Sequence, residues 1–141
     1  MKKLIIISAL LSMSLLTLAC GSGGGSSATS GKTVKTGTVN NLTVTLATAD
    51  GVIKNGANDF TLSFTDASGK TIDVGAASVN FHMPAMGTMA AMNDAATLTT
   101  SATPGVYNGK VKLEMAGEWQ VQIAFEGAAG KGKTSFPIMA Q

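Results

Sequence analysis

Four methionines recur at steps of three residues within one short segment of the chain, at Met83, Met86, Met89 and Met92. His82, the only histidine in the 141 residues, directly precedes them. Thioether sulfur is a soft, neutral ligand that suits Cu(I), and by the same softness Ag(I), better than it suits hard divalent cations. A single histidine does not make the usual ligand set of zinc, and Asp94 alone does not make that of calcium. The segment therefore predicts a soft-metal site.

Two other interpretations of the same segment stay open. Methionine is a flexible filler of apolar gaps, and a stripe at i, i+3 is also one face of a short helix beginning at Pro84. Such a helix would close the open end of a core. The methionines would alternatively form an exposed, adaptable surface for a partner protein. Pro84 and Gly87 argue only against a strand through the segment.

The residues around this segment alternate between apolar and polar with a period of two, which indicates antiparallel strands with one buried face. Asp-Gly, Asn-Gly and Pro-Gly pairs, among them Asn108-Gly109, supply turn signals. Strands at this spacing are typical of an immunoglobulin-like antiparallel β-sandwich, an all-β fold. About seven strands are predicted, over residues 38–48, 59–66, 71–83, 95–101, 105–115, 118–126 and 133–140.

The alternation also assigns faces to individual side chains. In the third predicted strand, Val79, Phe81 and Met83 should face inward. That phase places His82 on the opposite face. Trp119, the only tryptophan, is predicted to lie in the core of the sandwich.

The first residues of the chain have the three parts of an export signal. Two lysines precede an apolar run over residues 4–18, and a small residue, Ala19, follows it. The run is shorter than the roughly 20 apolar residues that a membrane-spanning helix needs. The tetrapeptide Thr17-Leu18-Ala19-Cys20 resembles the lipobox of bacterial lipoproteins. The resemblance implies that the signal 1–19 is removed and that Cys20 is acylated. An exported protein anchored by lipid to the cell envelope, at the periplasmic face of the outer membrane, is the expected result.

The mature chain divides into a tether and one domain. Residues 20–36 are rich in glycine, serine and threonine and lack an apolar period, so they predict a flexible tether behind the acylated cysteine. The remaining residues, 37–141, have the usual size of a single domain. Because Cys20 is the only cysteine, this domain has no internal disulfide.

Charge and residue usage argue against nucleic-acid binding and against catalysis. Without the two lysines of the signal, eight lysines stand against eight acidic residues, and the chain has no arginine. Scattered lysines do not form the basic patch that a nucleic-acid partner requires. One histidine, no Gly-x-Ser-x-Gly motif and no paired carboxylates leave no basis for a triad or for acid–base catalysis. The sequence therefore predicts a protein that is not an enzyme.

A longer stretch, from about Gly56 to Ile138, resembles the YtkA-like and FixH-like periplasmic domains. The most specific matching pieces are Met83-Pro84-Ala85-Met86 and Met115-Ala116-Gly117-Glu118-Trp119. The resemblance implies an immunoglobulin-like sandwich and an association with copper handling, efflux or haem–copper oxidase assembly. By position it carries a ligand role to Met83, Met86 and Met115.

Two hypotheses of function follow. In the first, the protein holds Cu(I) or Ag(I) for copper buffering, resistance or delivery to a copper efflux or oxidase-assembly protein. Its ligands would be Met83, Met86, Met89, Met92, His82 and Met115. In the second, the domain is a non-metal accessory or protein-interaction module, and the methionines are a core plug or a partner surface.

Overall fold

The computed structural model describes residues 30–141, and every regular element in this range is a β-strand. The nine strands of this range are β1 Lys32–Val39, β2 Leu42–Thr48, β3 Gly56–Thr65, β4 Ala76–Met83, β5 Met92–Ala95, β6 Thr97–Thr100, β7 Val106–Leu113, β8 Gly117–Gly127 and β9 Gly130–Ala140. They form two antiparallel sheets with the orders β1-β2-β3-β7-β6 and β5-β4-β8-β9. The prediction of an all-β sandwich is confirmed. Residues 30–141 contain no helix of the length and apolar character needed to cross a membrane.

The strand orders are those of an immunoglobulin-like sandwich. Strands β2-β3-β7-β6 correspond to the four-stranded sheet of a constant-type domain. Strands β4, β8 and β9 correspond to its three-stranded sheet, to which β5 adds an edge strand. For the candidate site, the important feature is that β4 and β5 are neighbours in sequence and pair with each other at one edge of the second sheet.

The first predicted strand, 38–48, is in fact parts of two strands. Asn40 and Asn41 both have positive φ, 47° and 67°, and they form the turn between β1 and β2. Two successive positive φ angles are the requirement of a type I′ hairpin turn, which asparagine tolerates. Strand β1 begins at Lys32, so the end of the predicted tether 20–36 belongs to the sheet. The predicted signal, Cys20 and the earlier part of the tether lie outside the described residues.

The predicted strand 95–101 is also divided. The chain passes from the second sheet to the first at Ala96, whose N–H donates to the carbonyl of Val79 at 2.9 Å. Strand β5 ends before this residue and β6 begins after it. The predicted strand 71–83 begins later than expected, at Ala76, because Gly75 turns the chain with φ +76°. The divisions of the predicted strands 38–48 and 95–101 account for nine strands where about seven were predicted.

Asn108-Gly109 is not a turn, although the pair signals one. Both residues lie inside β7, where Gly109 pairs with Phe60 of β3. A Cβ at Gly109 would lie 2.2 Å from Cζ of Phe60. The glycine therefore leaves room for the Phe60 ring on the inner face of the sheet.

The core lies between the two sheets, where the inward side chains of both meet. Phe60 of the first sheet contacts Phe81 of the second at a ring-centroid distance of 5.9 Å. Phe64 contacts Phe125 at 5.4 Å. Both pairs are edge-to-face, a favourable arrangement for aromatic rings. Trp119 is fully buried, which confirms its predicted place in the core.

Tyr107, the only tyrosine, connects the start of β7 to the loop before β4. Its hydroxyl donates to the carbonyl oxygen of Gly75 at 2.7 Å. Burial, together with the negative charge of Asp73, raises the pKa of Tyr107 above its usual value of 10.0. The folded state thus favours the neutral phenol more than the unfolded chain does. This contribution to stability is complete below about pH 10 and is lost as pH rises through the higher folded-state pKa.

We therefore expect the free energy of unfolding to fall in alkaline solution. Since the chain has one tyrosine, the ultraviolet absorbance of tyrosinate follows Tyr107 alone. The ionisation midpoint should be higher in the native protein than in the denaturant-unfolded protein. Tyr107→Phe is the matched control, because it should remove this part of the alkaline loss. Equal midpoints in the two states would contradict the prediction.

Candidate metal site

The predicted ligand segment is a β-hairpin. Strands β4 and β5 pair with Met83 opposite Met92, and the same register continues to an isolated pair of Met86 with Met89. The four methionines are thus two rungs of one hairpin, with their steps of three residues symmetric about the turn at Gly87-Thr88. The interpretation of the stripe as a short helix is wrong, because the segment is a hairpin. Equal spacing on both sides of its turn produces the same pattern as a helix face.

The outer rung, Met86 and Met89, is held by a tight turn. The N–H of Met86 donates to the carbonyl of Met89 at 3.1 Å, and the N–H of Met89 donates to the carbonyl of Met86 at 2.9 Å. Gly87 has φ +56°, which suits the first central position of a type II′ turn. Directly opposed residues have Cβ atoms about 5 Å apart on one face. The two thioethers therefore leave the turn side by side.

The outer rung is also exposed and free of charge. Met86 is 57% exposed and Met89 is 44% exposed, and residues 84–91 around them are all exposed. This segment contains no charged side chain. Large apolar side chains that lie exposed next to each other often mark a binding site. A soft cation in solvent can reach both sulfurs without breaking an ion pair of the segment.

The inner rung, Met83 and Met92, belongs to the core. Met83 is 2% exposed, and Met92 is partly buried against the core. Side chains on a strand alternate between faces, and three residues is an odd step, so Met83 and Met86 fall in opposite phases. The prediction that Val79, Phe81 and Met83 face inward is confirmed by their burial.

Met115 lies at the same end of the sandwich as the inner rung. It is part of the turn between β7 and β8 and packs, partly buried, against the core. Its carbonyl accepts a hydrogen bond from Nε1 of Trp119 at 3.1 Å. A Cβ at Gly117, two residues further on, would lie 3.2 Å from Cε of Met83. Met83 therefore packs against the turn that carries Met115.

His82 lies on the outer face of β4, as predicted, and is half-buried. It pairs with Asn93 of β5 and Gln120 of β8, and its Nδ1 lies 2.9 Å from Oδ1 of Asn93. Four residues separate it from Met86, which is about 13 Å along an extended strand. The structure thus divides the six predicted ligands into an exposed pair, three core contacts and one outer-face nitrogen.

The carboxylate of the hairpin, that of Asp94, turns toward the interior. Asp94 pairs with the buried Phe81, and its Oδ2 is buried with no hydrogen-bond partner among residues 30–141. An inward charge on a short edge strand is one of the devices that prevent edge-to-edge pairing. Within the described part of the chain, no three His, Cys, Asp or Glu side chains are arranged to hold a metal ion.

A groove of about 600 Å³ lies away from the hairpin, on the first sheet. Its lining surface is mostly apolar, with polar atoms contributed by side chains that include Thr61, Thr99 and Asn108. Asp59 and Lys110 meet at its wall in an exposed ion pair of 3.0 Å. The groove shares no residue with the methionine hairpin, and its chemistry does not indicate a ligand.

Comparison with known proteins identifies the family. Residues 36–124, more than half of the chain, match the YtkA-like family. The chain belongs to the YtkA-like family. No curated protein and no solved structure matches it. The YtkA-like region runs from β1 into β8 and contains His82 and all five methionines of the predicted ligand set.

Two features of the YtkA-like hairpin escaped the sequence interpretation. The first is the two-residue turn at Gly87-Thr88, which the identical residues on either side of it at 86 and 89 could have signalled. The second is the contact between His82 and Asn93, eleven residues apart in sequence. This contact follows only from the register of β4 against β5, which the sequence analysis did not derive.

Gly117→Ala in the YtkA-like domain is expected to lower the free energy of unfolding by about 1–3 kcal/mol. Gly117 has φ +133°, which alanine rarely adopts, and the added Cβ would press on Cε of Met83. Gly130→Ala is a matched control, because its φ of +105° is also positive but no atom lies within 4 Å of a Cβ there. Urea unfolding should show the larger loss for Gly117→Ala. Equal losses would mean that Met83 does not hold this turn.

Proposed function

We propose that this YtkA-like protein is a lipid-anchored protein of the cell envelope that binds Cu(I), or Ag(I), through its methionine hairpin. Its role would be copper buffering, resistance or delivery. The observation that carries the proposal is the outer rung, in which Met86 and Met89 place two exposed thioethers side by side at an uncharged tip. Neutral sulfur ligands suit a soft monovalent cation, and they give no advantage to hard divalent ions.

The exposure of the outer rung favours exchange of the ion over permanent storage. Two thioethers without a thiolate hold Cu(I) less strongly than a thiolate site would, so a competing ligand can remove it. Because residues 84–91 are exposed, the other coordination positions of an ion at the tip would face solvent. A partner that offers soft donors could therefore receive the ion there. A copper efflux or oxidase-assembly protein is the kind of partner proposed.

The other predicted ligands have different weights in this proposal. Met83 is buried, and Met92 and Met115 pack against the core, so their first role is to support the base of the hairpin. His82 lies on the outer face and can add a nitrogen ligand. The proposed activity is binding and transfer of a metal ion, with no catalytic residue.

The lipid anchor is a separate part of the proposal. It is supported by the resemblance of residues 17–20 to a lipobox. We expect cells that express the protein to incorporate labelled palmitate into it and to lose this label in Cys20→Ser. Wild-type protein without label would contradict acylation at Cys20.

A competition titration tests the metal part of the proposal. We expect the purified full-length protein to withdraw Cu(I) from a chromophoric chelator with a stoichiometry of about one ion per chain. Ag(I) should compete for the same site, whereas Zn(II) should not. A protein that takes no Cu(I) even from a weak chelator would refute metal binding.

The same exposed rung favours a second candidate, a protein-interaction domain. Neighbouring exposed methionines form an adaptable apolar surface that suits protein partners. Replacing Met86 and Met89 by leucine keeps the tip apolar but removes both sulfurs. If the wild type binds no Cu(I) and both forms capture the same partner equally well, the interaction function is the correct one.

A further inference from the structure

Four polar side chains form a hydrogen-bonded chain across the outer face of the second sheet. Asn80 of β4 donates from Nδ2 to Oε1 of Gln122 on β8 and to Oδ1 of Asn93 on β5, each at 3.3 Å. The same Oδ1 of Asn93 lies 2.9 Å from Nδ1 of His82. The chain thus ends at the base of the methionine hairpin, at the residue before Met83.

The direction of these hydrogen bonds sets the tautomer of His82. An amide oxygen only accepts, so Nδ1 of His82 is the donor to Oδ1 of Asn93. A neutral imidazole carries one proton, and its lone pair is then on Nε2. Among residues 30–141, Asn93 is the hydrogen-bond partner of the His82 ring, which leaves Nε2 available.

Metal-binding histidines show the same arrangement. Their second ring nitrogen donates to an oxygen, which fixes both the tautomer and the orientation of the ring. In this domain the oxygen belongs to a neutral amide, so the site gains no negative charge. The Asn80 bond to the same oxygen holds Asn93 in place from the neighbouring strand.

We propose that Asn93 is a positioning residue that holds His82 in the Nδ1–H tautomer and so leaves Nε2 free to take Cu(I) or Ag(I) on the outer face of β4, the face to which Met86 also belongs by phase. This inference rests on the proposed function and names one atom of its site. It also assigns a role to a side chain that has neither sulfur nor charge and acts on the metal through His82.

The tautomer can be measured without any metal. His82 is the only histidine, so a long-range ¹H–¹⁵N correlation spectrum of labelled protein shows a single ring. At about pH 8.5 we expect a proton on Nδ1 and none on Nε2. Asn93→Asp keeps an oxygen acceptor and should keep this tautomer, whereas Asn93→Leu should lose it. A wild-type ring protonated on Nε2, or an unchanged tautomer in Asn93→Leu, would overturn the inference.

A silver titration then tests the ligand role. Ag(I) should shift the Nε2 resonance of the wild type, and in Asn93→Leu this shift should require a roughly 10–100-fold higher Ag(I) concentration. Asn93 is exposed on an edge strand, so an unchanged unfolding midpoint is the control for an intact fold. Ag(I) binding without a change at Nε2 would overturn the inference and leave the proposed function standing. No Ag(I) binding at all would refute the proposed function and the ligand role, while the tautomer result would stand by itself.

Discussion

Replacing Met86 and Met89 together by leucine is expected to weaken Cu(I) binding by at least about 100-fold, since even changes to residues that only orient a metal ligand cost about 10–100-fold. Leucine is apolar and of similar volume, so the exposed tip should keep its turn. The hydrogen bonds that close this turn are between backbone atoms and do not depend on the side chains. The unfolding midpoint should therefore stay the same while the competition titration loses its response.

Two single variants serve as controls for this result. Met139 is 59% exposed on β9, outside the hairpin, so Met139→Leu should bind Cu(I) as the wild type does. Met83→Leu removes a sulfur that faces the core, and we expect it to change metal affinity little. If Met83→Leu abolishes binding and the tip variant does not, the metal site lies at the base of the hairpin, and the assignment to the outer rung is wrong.

Trp119→Ala is expected to cost about 3–5 kcal/mol of unfolding free energy, the usual range for a large aromatic side chain removed from a core. Trp119 is fully buried, and it directly precedes Gln120, which is the β8 partner of His82. The cavity would open beside Met83 and below the turn of Met115. Because Trp119 is the only tryptophan, circular dichroism in urea is the suitable measurement.

Trp119→Phe separates the two contributions of this side chain. Phenylalanine keeps an aromatic ring in the core but removes the N–H that donates to the carbonyl of Met115 at 3.1 Å. We expect a smaller loss, of which the missing hydrogen bond accounts for about 1–2 kcal/mol. A loss as large as that of alanine would mean that the hydrogen bond to the turn at Met115, more than the volume filled by the ring, accounts for the stabilisation by Trp119.

Much of the fold could be predicted because its signal is local. The inward set Val79, Phe81 and Met83 follows from the two-residue period of a strand, and the structure buries all three. Errors arose where a local signal has two meanings. The turn signal of Asn108-Gly109 conflicts with the predicted strand 105–115, and the strand is what forms, with the ring of Phe60 in the space that a side chain at Gly109 would need. Asn40-Asn41 is a turn that the apolar pattern on both sides concealed.

The methionine cluster shows the same limit at the candidate site. By itself, the sequence determined which ligand chemistry is available: four thioethers at equal steps, one adjacent imidazole and no second cysteine. Only the tertiary structure decided which sulfurs are accessible. Pairing of β4 with β5 places Met83 and Met92 at the edge of the core, and Met86 and Met89 beyond it. Residue type is fixed at each position of the sequence. Exposure depends on the point at which the hairpin leaves the sandwich, and the strands that pair with β4 determine that point.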